Sequence, residues 1–115
     1  MDGRPQRRVA DYLITSFGVR YLDTVTTAGM VRHLADETEQ TSAILTNLDH
    51  SVRRHESRHI AVVAHYDCLG NPVTEKVQRQ QVSLAVERVS SIYSGPEVVG
   101  LWVDGHGIIS RVWST

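Results

Sequence analysis

A chain of 115 residues holds one domain, long enough to bury a core and too short for two. Its 41% hydrophobic and 22% charged residues suit a globular protein, and 12 basic against 13 acidic side chains create no field to draw in nucleic acid or an anionic membrane. No apolar run approaches the ~20 residues of a membrane helix, "MDGRPQRR" has no apolar segment behind its charges and does not read as a secretion signal, and a lone cysteine, Cys68, excludes an internal disulfide and suits a reducing, cytoplasmic setting.

The first element is a helix from about Pro5 to Phe17. Val9, Leu13 and Phe17 recur at i, i+4 and i+8 with Ile14 beside them, and Gly18 is a natural residue just past a helix end. "VRYLDTVTTAG" alternates Val19, Tyr21 and Val25 with polar residues and predicts a short strand ending in a loop at Ala28-Gly29. "MVRHLAD" predicts a brief helix, and "DETEQTS" a polar connection. Ile44, Leu45, Leu48 and Val52 form one face of a helix from about Ser42 to Glu56.

"HIAVVAH" is the clearest strand, and its continuous apolar run predicts a central strand covered on both faces. The turn "DCLGN" leads into a long helix, with Asn71 as its cap, Pro72 at its first position and its end near Tyr93. Val82, Ala85, Val86, Val89 and Tyr93 form its buried face. Ser94-Gly95-Pro96 stop it, "EVVGLWV" is a further apolar strand, and "DGHG" turns the chain into an antiparallel neighbour, "IISRVW". This order predicts an α/β domain with a mainly parallel sheet flanked by helices and an antiparallel C-terminal edge strand.

Parallel sheets carry their chemistry beyond the carboxyl ends of their strands. "HYDCLGN" lies there, with His65 and Cys68 three residues apart. Imidazole and thiolate are zinc donors, and an H-x-x-C loop can aim both at one ion. By spacing alone, such a pair is more often a small buried thiol beside a hydrogen-bonded histidine. Asp67 between them is either an acceptor that orients His65 or, more commonly in such loops, a turn former. A thiol activated by His65 is a further reading, without a recognisable oxyanion hole to support it. His50, His55 and His59 do not share one helical face and are expected in solvent. His106 reads as a turn residue, and Trp102 and Trp113 as packing in the sheet.

Strand, H-x-x-C, turn and helix in this order resemble the second zinc motif of the β-class carbonic anhydrases. "HYDCLGNP" matches the form H-x-D-C-x-G-N-P of the small carbonic-anhydrase-like proteins at every specified position. "EVVGLWVD" with the strand after it is similar to their closing sheet segment. The family's first motif, C-x-D-x-R, laid on "MDGR" places its aspartate at Asp2 and its arginine at Arg4, with its cysteine one residue ahead of Met1. The resemblance thus covers nearly the whole chain but lacks the first ligand and the strand before it, so the domain is expected to be N-terminally truncated relative to the family, with an exposed sheet edge.

The resemblance implies zinc held by His65 and Cys68 with Asp2 as a third ligand, and Asp2 and Arg4 acting together in catalysis. Reversible hydration of carbon dioxide to bicarbonate is the implied activity, and a homodimer or higher homo-oligomer the implied assembly. Two alternatives stand beside this. Asp2 and Arg4 are equally read as a solvated chain end, and the whole as a degenerate homologue that keeps the fold as a binding or assembly module. Gly29 resembles a family loop position near the substrate pocket, and an ordinary turn explains it as well.

Overall fold

The computed structural model describes the backbone of residues 3–114 and the side chains of residues 3–112. In chain order it contains α1 (Gly3–Phe17), α2 (Met30–Ala35), α3 (Thr41–Asp49) running into a π-helical turn (His50–Arg54), β1 (His59–His65), α4 (Glu75–Ile92), β2 (Glu97–Val103) and β3 (Ile109–Ser114). The sheet order is β1-β2-β3, with β1 parallel and β3 antiparallel to β2. The expected α/β class is present. The sheet is mixed rather than mainly parallel, with one parallel and one antiparallel pairing among the described residues.

β2 is the central strand. Every residue from Val98 to Val103 is buried, because both faces are covered and both edges are paired. On one face Val82, Ala85, Val86 and Val89 of α4 pack with Val31 and Leu34 of α2 against Ile60, Val62, Val98 and Trp102. On the other, Val9 of α1, with Tyr12, Leu13 and Phe17 partly buried, covers Val99, Leu101 and Val103. Trp102 packs in the sheet as expected; the side chain of Trp113 lies outside the described residues.

The sheet differs from expectation along β1. "HIAVVAH" forms an edge strand, not a central one, with Ile60, Val62 and Ala64 buried and Ala61, Val63 and His65 only half-buried. Glu97 donates its N–H to the Arg58 carbonyl (2.8 Å) and Tyr66 donates its own to the Val103 carbonyl (3.0 Å). Even-numbered backbone groups of β1 therefore bond to β2, and those of His59, Ala61 and Val63 point the other way. The predicted strand at 19–25 is absent for a related reason: a strand needs a paired neighbour. A groove of about 1210 Å³ separates Val19–Thr27 from the open edge of β1 and is lined by both. The alternation of Val19, Tyr21 and Val25 is thus present without a ladder to use it.

α1 lies along β1 in the opposite direction. Phe17 at its end stacks on the His59 ring at the strand's start, with centroids 4.4 Å apart. Fifteen helical residues and seven strand residues both span about 22–23 Å, so the first turn of α1 falls at the carboxyl end of β1.

Candidate functional site

β1 ends at His65, and the connection to α4 carries Tyr66, Asp67 and Cys68. α4 starts later than the sequence predicts. Thr74, not Asn71, is its cap, its hydroxyl accepting the Val77 N–H at 3.2 Å. Asn71 is instead fully buried, and its side-chain amide donates to Gln81 Oε1 at 2.6 Å. Asn71 donates its backbone N–H to the Cys68 carbonyl (3.1 Å), which closes the turn that holds the half-buried thiol.

His65 is held on three sides by this framework. Its Nδ1 lies 2.7 Å from the Tyr66 carbonyl oxygen. A carbonyl only accepts, so Nδ1 carries the proton and the lone pair sits on Nε2, the tautomer a metal ligand or proton acceptor needs. Tyr66 N–H is fixed by Val103, and the His65 carbonyl accepts from Gln78 Nε2 at 3.2 Å.

Arg4, in the first turn of α1, reaches this loop. Its Nη1 lies 3.3 Å from Asp67 Oδ2 and 3.4 Å from the Tyr66 hydroxyl, its Nη2 donates to the Asp67 carbonyl at 3.2 Å, and its guanidinium sits 4.8 Å from the Tyr66 ring centre. Asp67 adopts φ 50°, a left-handed conformation that Asp tolerates better than most residues. Its carboxylate faces Arg4, while the Tyr66 carbonyl takes the His65 ring. Asp67 is therefore seen as Arg4's partner and not as the acceptor that orients His65.

A second loop meets the first. Gly29, at φ 66°, packs backbone to backbone on Gly70, so that a Cβ at Gly29 would collide with the Gly70 carbonyl. The Ala28-Gly29 turn and the H-x-x-C loop thus form one wall, although "TTAG" and "CLGN" are some 40 residues apart. That explains Gly29 better than an isolated turn does.

Of the four residues singled out from the sequence, His65 and Cys68 flank Tyr66 and Asp67 at the carboxyl end of β1, Arg4 contacts those two intervening residues, and Asp2 lies outside the described residues. Imidazole and thiol are donors of the kind zinc takes, but they fit it in kind and not in number: among the described residues no group of three His, Cys, Asp or Glu side chains is arranged to hold an ion. The remaining histidines are elsewhere. His50, His55 and His59 are exposed, as expected, and His106 sits in a turn, as expected. His55 Nδ1 lies 2.6 Å from Asp23 Oδ2, and hydrogen bonds from Ser51 and then His55 hold the Asp23 carboxyl below the usual carboxylate range. His33 is buried, with Nδ1 2.7 Å from the Thr38 hydroxyl, a packing role. Sequence reasoning missed Tyr66 and Gln78. Gln78 had a visible signal: it falls four residues before Val82 on the buried stripe of α4, where a polar residue is out of place.

The fold and this loop define an α/β domain with an H-x-x-C segment at the end of a parallel strand, backed by an arginine from the chain's opening turn. A model of the family described as "Putative carbonic anhydrase" matches residues 1–113, and the chain belongs to that family. Neither the curated proteins nor the solved structures contain a match to it. No helix among the described residues is long and apolar enough to cross a membrane.

Proposed function

We propose that this chain is a zinc protein that hydrates carbon dioxide reversibly, with His65 and Cys68 as metal ligands and Asp2 as the third. The observation that carries this reading is the seat of Arg4 on Tyr66 and Asp67. It brings Arg4 onto the loop that carries His65 and Cys68, at Asp67, 63 positions further along the chain. Asp2 is two residues from Arg4 in the sequence. Zinc there would supply hydroxide near neutrality, by lowering the pKa of a water from 15.7 to about 7.

The chain's own groups have separate tasks. His65 offers the Nε2 lone pair because the Tyr66 carbonyl holds its Nδ1 proton. Cys68 offers its sulfur from a turn closed by Asn71. Arg4, its charge partly compensated by Asp67, places guanidinium N–H donors at the loop, which favour the bicarbonate anion and stabilise charge that develops during its formation. The open edge of β1, with its outward N–H and C=O groups, supports self-association as a dimer or higher oligomer.

The second reading is a homologue that keeps the fold for binding or assembly without catalysis, in which the described donors His65 and Cys68 hold no ion. Stopped-flow carbon dioxide hydration by zinc-loaded protein separates the two. The proposal expects a rate above the buffer reaction that is lost in His65→Ala and falls at least about tenfold in Arg4→Ala. A wild-type rate equal to that of His65→Ala sinks it in favour of the second reading.

A further inference from the structure

We infer that Gln78 is a positioning residue for His65: from inside the core it fixes the peptide whose neighbouring carbonyl selects the imidazole tautomer. This rests on the reading of His65 as a metal ligand, but only in its consequence for zinc.

Gln78 lies in the first turn of α4 and is 2% exposed. Its Oε1 has no hydrogen-bond partner, so the residue leaves an acceptor buried and unpaired. An apolar side chain of similar size would avoid that penalty but would take away the donor that the His65 carbonyl uses. What the amide delivers is the other half of the group. Nε2 donates to the His65 carbonyl at 3.2 Å, which also fixes the orientation of the amide, since an oxygen there would face an oxygen.

The bond acts at the point where the strand stops. The peptide between His65 and Tyr66 is held at its oxygen by Gln78 and at its N–H by the Val103 carbonyl. On the open side of β1 no strand among the described residues takes the His65 carbonyl, and Gln78 does so in its place. With that peptide plane fixed, the next carbonyl, that of Tyr66, stands 2.7 Å from Nδ1 and keeps the proton there. If the plane rotates, the acceptor moves away, and the ring loses its preference for a lone pair on Nε2. Partners of this kind behind a ligating histidine set both its tautomer and its metal affinity.

The test is the tautomer of His65 in metal-free protein, read by long-range ¹H–¹⁵N correlation at a pH where the ring is neutral. Wild type is expected to carry its proton on Nδ1. Gln78→Met, which keeps the volume and removes the donor, is expected to give a mixture of tautomers, and to weaken zinc binding by roughly 10–100-fold. Gln81→Leu, which removes the amide contact to Asn71 but does not touch His65, should leave the tautomer unchanged. An Nδ1–H tautomer preserved in folded Gln78→Met overturns the inference. Should that variant not fold, the wild-type Gln78 side-chain amide protons decide: slow exchange of one of them supports the bond, and exchange of both at the rate of a free amide overturns it. Wild-type protein that binds no zinc contradicts the proposed function, whereas the tautomer result judges Gln78 alone.

Discussion

β1 and β2 are seven-residue strands of almost equally apolar sequence, "HIAVVAH" and "EVVGLWV", yet they occupy opposite situations. β2 has a strand on each side and helices on each face, and it is buried from Val98 to Val103. β1 has the same two faces covered but only one edge paired, and its odd-numbered residues stay half open along a groove. A continuous apolar run therefore reports that both faces of a strand are covered. It carries no information on lateral neighbours, and in this domain the candidate chemistry sits at the end of the less enclosed strand.

Truncation within each strand exposes that difference. Leu101→Ala, at a fully buried position of β2, should lower unfolding free energy by about 2–5 kcal/mol, because the packed surroundings cannot collapse onto the cavity. Val63→Ala on β1 removes methyl groups that already border the groove and should lower it by about 1 kcal/mol. Urea titration of the two variants checks the contrast. Equal losses would mean that the edge of β1 is as enclosed as the centre of β2.

The smallest effect belongs to the segment on the far side of the groove, tied down by Asp23. Ser51 and His55 depress the carboxyl's pKa in the folded state, so its stabilisation is present above the ordinary value of about 3.9 and disappears as pH falls through and below it. Asp23→Asn should therefore be less stable than wild type near neutrality and indistinguishable from it in acid. Urea midpoints across pH 3–7 read this out, and a gap that widens in acid would contradict it. The pair is exposed, so the difference is small.

What the sequence showed and what it concealed follow the same physics. Local periodicity revealed α1, α4 and all three strands of the sheet, since those patterns come from burial of a face. It failed at 19–25, where alternation was present but no strand among the described residues pairs with it, and at Asn71, where one of two good capping residues is used for Gln81 and Thr74 caps instead. Arg4 was singled out as a residue of interest, and the H-x-x-C loop and its structural context were legible. The partners of Arg4 were not. Asp67 is exposed and Tyr66 half-buried against the core, and their pairing with Arg4 depends on α1 lying antiparallel to β1, a long-range fact with no local signature. Gln78 was legible only as an anomaly, a polar side chain on an apolar stripe.

The central claim is that the loop at the end of β1 holds zinc through His65 and Cys68. Metal analysis of purified chain, wild type beside Cys68→Ser, tests it most directly. The account predicts close to one equivalent of zinc per chain in the wild type and its loss in the variant. Less than about a tenth of an equivalent in wild type, or zinc unchanged in Cys68→Ser, would contradict it.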